Sequence, residues 1–228
     1  MSKKYNVAVV GATGLVGQTF LKVLKERNFP VENLYLYASA RSAGKVVNWG
    51  GKEYTVIELK DENIKEDIDV ALFSAGGGIS KEFAPKFRDK GAVVVDNSSA
   101  WRMDKDIPLV VPEANPEALK NHRGIIANPN CSTIQVMPIL KVLQDKYGLK
   151  RVIYSTYQAV AGAGKKGLDD LENNLQGKPS TNFPHQIAFN ALPHIDVFLE
   201  NGYTKEEEKM INETKKILNL PDLKVTAT

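Results

Sequence analysis

Short runs rich in apolar and β-branched residues recur along the first two thirds of the chain, separated by stretches whose apolar positions repeat every three or four residues. The runs predict strands at Tyr5–Val10, 34–38, 54–59, 70–74, Val93–Asp96, 109–111 and 124–127. Between the first two, Leu15, Phe20, Val23 and Leu24 share a helix face over 15–27. Strands alternating with helices predict a mostly parallel sheet covered on both faces. A helix is expected from Cys131 to about Tyr147, carrying Ile134, Met137, Leu140 and Leu143, with Pro138 inside it as a kink. After Gly148 come a β-rich run at 151–160, a glycine-rich stretch at 162–167 and a helix at 168–175. An irregular, proline-containing segment leads to a helix at 204–218, with Thr204 as its cap and Met210, Ile211, Thr214 and Leu218 in one stripe. A strand begins at 223–228. The pattern reads as α/β: a Rossmann-type, doubly wound sheet over 1–130, then an incomplete α+β domain over 131–228.

Composition narrows the function. In 228 residues, 43% are hydrophobic and 25% charged, and 30 Lys and Arg stand against 27 Asp and Glu. A net charge of +3, scattered along the chain, offers no nucleic-acid footprint. One cysteine excludes an internal disulfide and a thiolate-rich metal site. His122, His185 and His194 have no ligand spacing, and no G-x-S-x-G elbow is present. No stretch approaches the ~20 apolar residues of a membrane span. The start, Met1-Ser2-Lys3-Lys4-Tyr5, has neither the apolar core nor the cleavage site of a leader, so a cytoplasmic protein is expected.

Three segments carry chemistry. Gly11, Ala12, Thr13, Gly14, Leu15, Val16 and Gly17 form a G-x-x-G-x-x-G turn between the first strand and the first helix, where backbone can approach a pyrophosphate. At the end of the second strand, where an NAD site tends to place a carboxylate, stand Ser39, Arg41 and Ser42. Two hydroxyls and a guanidinium suit the 2′-phosphate of NADP. Ser74, Ala75 and Gly76 offer a second close approach of backbone to cofactor, or a simple turn. The third segment is Asn128-Pro129-Asn130-Cys131-Ser132-Thr133. A cysteine opening a helix is stabilised as thiolate and is a nucleophile, whereas a lone cysteine can equally be a small buried hydrophobe.

These motifs together resemble aspartate-semialdehyde dehydrogenase. The likeness rests on the cofactor turn, Ser39 to Gly44, Asp96-Asn97-Ser98-Ser99-Ala100-Trp101-Arg102, Val111-Pro112-Glu113 and Asn130-Cys131-Ser132-Thr133. It continues through Tyr157-Gln158-Ala159-Val160, Phe189-Asn190-Ala191-Leu192-Pro193 and Glu206-Glu207-Glu208-Lys209. The resemblance implies an NADP-dependent oxidoreductase and a homodimer, with the second domain binding substrate. It would interconvert β-aspartyl phosphate with aspartate semialdehyde and phosphate, on the route to lysine, threonine, methionine and isoleucine. Cys131 would form a thioester and Gln158 would orient it. Arg102, Lys209 and Asn130 would hold the phosphate, Glu206 would meet the substrate ammonium, and Gly162 would lie against the cofactor. Without the resemblance, Glu206 and Lys209 read as an exposed, salt-bridged helix surface.

Two departures accompany the likeness. Ala161-Gly162-Ala163-Gly164 stands where the family often has Ser-Gly-Ala-Gly. The family's Cys-x-Arg-Val-Pro-Val and Gly/Ala-His-Ser segment, which supplies the carboxylate-binding arginine and the acid–base histidine, is not found in residues 1–228. The expectation is therefore an inactive fragment that binds NADP at most. The alternatives are N-acetylglutamyl-phosphate reductase and a non-catalytic NADP-binding module. An extended short-chain dehydrogenase is disfavoured, because no tyrosine has a lysine four residues on.

Overall fold

A computed structural model describes residues 3–228. Met1 and Ser2, on which the expectation of a start without a leader partly rests, lie outside the described residues. The chain divides into two compact units, the first running through Asn130 and the second spanning Cys131–Thr228.

The first unit comprises β1 (Tyr5–Val10), α1 (Leu15–Glu26), β2 (Val31–Ala38), β3 (Val46–Trp49), β4 (Lys52–Thr55), β5 (Ile57–Glu58), β6 (Val70–Phe73), α2 (Gly77–Asp89), β7 (Val93–Asp96) and β8 (Ile125–Ala127). Its parallel sheet has the order β5-β2-β1-β6-β7-β8. In β1, Val7 and Val9 point to one face, where Leu21 of α1 joins Leu34, Leu36 and Val56. Ala8 and Val10 point to the other, where Phe83, Ala84 and Phe87 of α2 pack with Tyr37 and Phe73. A strand buried on both faces reads as a continuous apolar run, which is why β1 is so clear in the sequence. Phe87 meets the rings of Phe73 and Tyr37 edge-on at 5.2 and 5.4 Å.

Several expectations are corrected here. The helix face of α1 is centred on Gly17 and Leu21, while Leu15 and Val23 are exposed. The run at 54–59 belongs to two strands: β4 pairs antiparallel with β3 through a Gly50-Gly51 turn at φ +61° and +82°, and β5 pairs parallel with β2. Residues 109–111 are buried but make only one bridge, Leu109 to Ala127. The Asn115 side chain takes up the Val111 N–H and the Leu109 carbonyl instead (2.8 and 2.9 Å). Helix α2 was not predicted, because three glycines open it and Pro85 interrupts it.

The second unit comprises α3 (Cys131–Ile134), α4 (Met137–Tyr147), β9 (Arg151–Tyr154), α5 (Lys165–Leu175), α6 (Lys205–Leu218) and β10 (Lys224–Ala227). The single helix expected after Cys131 is two helices. Pro138 sits in the first turn of α4, where its missing N–H is no loss, so it starts a helix instead of kinking one. The run at 151–160 is a strand only to Tyr154, paired in parallel with β10. Thr204 caps α6 in a capping box with Glu207. The buried stripe of α6 is Met210, Ile211, Thr214 and Ile217, with Ile217 and not Leu218 completing it.

The irregular segment after α5 is fastened by two side chains one turn apart. Asp170 accepts from the N–H groups of Thr181, Asn182 and Phe183 (2.8, 2.7 and 2.8 Å) and from the Thr181 hydroxyl. Burial pushes the Asp170 carboxyl up, but these donors outweigh it and hold it down at about 2. Asn174 accepts from the Ser180 hydroxyl and the Ile187 N–H and donates to the Lys178 carbonyl.

Candidate active site

In the first unit, β1 is flanked by β2 on one side and β6 on the other. Chain direction around the sheet reverses there, and open α/β sheets bind ligands at the carboxyl ends of such strands. The turn Gly11 to Gly17 leaves β1 at that edge. Gly11 has φ +88°, and a Cβ on it would strike the Ser74 carbonyl; a Cβ on Gly17 would strike the Gly11 carbonyl and the Ala12 backbone. Both glycines therefore let the strand ends and the helix start crowd together. Ala12 and Gly17 are buried, whereas Thr13, Gly14, Leu15 and Val16 are exposed. The first turn of α1 has no side-chain cap and no acidic residue, so nothing there opposes an anion.

The turn after β2 presents Ser39 and Arg41 to solvent, while Ser42 is buried in the 3-10 turn Ala40–Ser42. After β6, Ser74 and Ala75 are half-buried and Gly76 (φ +88°) leads into α2, which likewise starts without a side-chain cap or an acid. These features fit a dinucleotide phosphate, and Arg41 at a carboxylate-free strand end fits a 2′-phosphate.

Arg102 is buried. Its Nε donates to the Asn128 carbonyl and its Nη2 to the Asn97 carbonyl, both at 2.9 Å. Asp96, fully buried at the end of β7, accepts from the backbone and hydroxyl of Ser98. Burial pushes its carboxyl up, against the pull of Ser98, Ser80 and the Arg102 charge. Asn130 is buried at the end of this unit.

In the second unit, Cys131 is exposed and opens α3, a single turn. The reading of a small buried hydrophobe is thereby set aside. The neighbouring Ser132 hydroxyl donates to Gln158 Oε1 at 3.3 Å, which brings Gln158 beside the cysteine segment across 26 residues of chain. Gly162 is the floor under that amide, since a Cβ on it would overlap Gln158 Nε2. Helix α3 packs on α6, which carries Glu206 and Lys209. Glu206 is buried, so this face of α6 is not a solvated surface.

Lys209 Nζ bonds Glu206 Oε2 at 3.0 Å and, unforeseen in the sequence, Asp196 Oδ2 at 2.8 Å. Burial pulls Lys209 down, but hydrogen bonds to Asp196 and Glu206 outweigh it and leave the ammonium above its ordinary range. Burial likewise pushes Asp196 up, and Lys209, the Val197 N–H and Lys205 hold it below the usual carboxylate range. Among the described residues, no group of three or more His, Cys, Asp or Glu is arranged to hold a metal, and no helix is long and apolar enough to cross a membrane.

Two family models match the chain: "Semialdehyde dehydrogenase, NAD binding domain" over residues 6–122 and "Semialdehyde dehydrogenase, dimerisation domain" over 140–228. Aspartate-semialdehyde dehydrogenase of Aquifex aeolicus is 64% identical over 233 residues, covering 98% of this chain and 68% of that protein. The chain belongs to the aspartate-semialdehyde dehydrogenase family. Two solved members of that family extend the comparison. The Vibrio cholerae aspartate semialdehyde dehydrogenase II complexed with ASA superposes at TM-score 0.94 with 50% identity, over all of this chain and 70% of that one. The Candida albicans enzyme with NADP superposes at 0.75 with 27% identity, over 99% of this chain and 66% of that one.

Proposed function

We propose that the chain interconverts β-aspartyl phosphate with aspartate semialdehyde and phosphate, using NADP, in the biosynthesis of lysine, threonine, methionine and isoleucine. The observation that carries this reading is the exposed Cys131 with Ser132 bonded to the Gln158 amide, on a helix packed against the one that bears Glu206 and Lys209. A nucleophile with an amide beside it suits acyl transfer, and a bare cofactor module has no need of that pairing.

In the reductive direction the Cys131 thiolate attacks the β-carbonyl carbon. The carbon–oxygen bond to phosphate breaks, and phosphate leaves with the electron pair. Gln158 orients the resulting thioester, since its amide both donates and accepts. NADPH, when bound, supplies the hydride that brings this carbon to the aldehyde level. Scission of the C–S bond then returns the electron pair to Cys131. We assign the pyrophosphate to Gly11, Ala12, Thr13, Gly14, Leu15, Val16 and Gly17, with Ser74, Ala75 and Gly76 as further cofactor contacts; for Gly162, which the resemblance sets against the cofactor, the overlap of an added Cβ with Gln158 supports a seat for that amide instead. Ser39, Arg41 and Ser42 take the 2′-phosphate, Arg102, Asn130 and Lys209 the substrate phosphate, and Glu206 the ammonium. The matched dimerisation-domain model supports a homodimer, and the functional setting is the cytoplasm.

The test is aspartate semialdehyde with NADP and phosphate, followed by nicotinamide reduction, together with mass spectrometry of Cys131 exposed to β-aspartyl phosphate. Acylation that requires Cys131 is expected, and Cys131→Ala should abolish it. Acylation elsewhere, or none with NADP still bound, would overturn the reading in favour of a binding module.

A further inference from the structure

Lys209 has two carboxylates on one ammonium: Glu206 Oε2 at 3.0 Å and Asp196 Oδ2 at 2.8 Å. Lys205 adds a further positive charge felt by Asp196, but a phosphate brought to Lys209 itself would face two anions. Two of the three ammonium N–H groups are taken by carboxylates, so an incoming phosphate gains most when one of them gives way. The two are not equivalent. Glu206 lies on the same helix, three residues before Lys209, with its side chain 11% exposed. The Asp196 side chain is 33% exposed and comes from the irregular segment between α5 and α6. Asp196 holds a left-handed backbone at φ +65°, which is uncommon outside glycine, and its Oδ1 accepts its own neighbour's N–H, from Val197, at 3.0 Å. The backbone beyond it is fixed by the Lys205 N–H on the Val197 carbonyl at 2.8 Å. Rotation of one side chain, with the backbone retained, therefore releases Lys209 from Asp196 and leaves Glu206 as its remaining carboxylate.

We propose that Asp196 is a built-in anion mimic, seated on Lys209 until an incoming phosphate group displaces it, and that it thereby sets the anion affinity and selectivity of the second unit. This rests on the reading of Lys209 as a phosphate ligand given above. Asp196 is a specificity-determining residue here, with no part in bond making. A weak anion, or one unable to bond Lys209 from the direction of Asp196, fails to displace it. A phosphate group with several strong acceptors succeeds.

The experiment labels lysines with acetic anhydride and reads Lys209 against the exposed Lys166 of α5 by mass spectrometry, at rising inorganic phosphate and with chloride as the ionic-strength control. Wild type, Asp196→Asn and Asp196→Ala are compared. Asparagine keeps the size of the side chain and the acceptor for the Val197 N–H, and alanine serves as the second variant. Removing the carboxylate should speed Lys209 labelling and lower the phosphate concentration that protects it by about tenfold, the exchange of one ion pair. If Lys209 labels at the wild-type rate in both variants, Asp196 does not hold it and the proposal falls. If phosphate protects wild type and variants equally, Lys209 is an anion ligand but Asp196 does not compete, and the proposal falls alone. If labelling rises but phosphate protects in none, the phosphate reading of Lys209 fails and takes the proposal with it.

Discussion

Gly162→Ala separates two roles for one glycine: room for Gln158, or contact with the cofactor. The added Cβ would overlap Gln158 Nε2 and sit 3.0 Å from its Cδ and 3.2 Å from its Cγ. Carbon contacts are comfortable only from about 3.5 Å, so the amide must retreat by about 1 Å. That withdraws Oε1 from Ser132, a contact already at 3.3 Å. The backbone is no obstacle, since Gly162 lies in the 3-10 turn Val160–Ala163 and is not one of the positive-φ glycines. Alanine at a compatible position stabilises by about 0.4–1 kcal/mol through the unfolded chain. For this length that raises Tm by about 1–4 °C. A 1 Å displacement of a positioned catalytic group costs about 100-fold in rate. The expected result is a Tm level with or slightly above wild type, unchanged NADP affinity, and acylation of Cys131 by β-aspartyl phosphate slowed about 100-fold. Quenched-flow mass spectrometry of the acyl enzyme, fluorescence titration with NADPH and a thermal scan read the three quantities. A wild-type acylation rate would refute the placement of Gln158 at the reacting carbon. Weakened NADPH binding at an unchanged rate would return Gly162 to the cofactor.

Three further outcomes are expected. Asp170 protonates at about 2 in the folded chain against an ordinary value of 3.8, so its stabilisation is complete above about pH 4 and drains away as pH falls towards 2. Asp170→Asn should lower the urea midpoint at neutral pH, lose little near pH 2, and expose the amides of 181–183 to hydrogen exchange. An equal loss at both pH values would refute the assignment. In Gly17→Ala the Cβ meets only backbone, the Gly11 carbonyl and Ala12, which cannot rotate away. It should destabilise the first unit by about 1–3 kcal/mol and weaken NADPH binding, both read by denaturation with and without cofactor. Arg41→Glu should weaken NADP about 10–100-fold, the worth of a charge-assisted bond, and leave NAD nearly unaffected. Equal losses for both cofactors would place Arg41 elsewhere.

The legible part of the fold is the part where one strand or helix decides its own burial. Strand β1 is apolar on both faces because both faces are covered, and β7 is bounded as the sequence predicts. The capping box at Thr204 is local as well, spanning three residues. What failed depended on partners far away. The 109–111 run has the composition of a strand, but Asn115 satisfies its backbone and leaves it a single bridge. Helix α2 has a proper buried spacing at Ser80, Phe83, Ala84 and Phe87, but the serine, the glycines and the proline hide it until the sheet face it covers is known.

The site divides along the same line. The G-x-x-G-x-x-G turn and the cysteine at a helix start are contiguous in sequence, and their places in the fold were readable. Gln158 could be named only through the family motif, because no spacing rule links it to Ser132 across 26 residues. Lys209 shows the limit most clearly. Its sequence neighbours give it one partner, Glu206, and a surface role. Burial and Asp196, thirteen residues away on an irregular segment, make it instead the centre of a charge cluster. An irregular segment has no periodicity from which its direction can be inferred, so a residue such as Asp196 shows its role only where the chain folds back. The positions most able to tune such a site are therefore the ones a motif comparison weighs least.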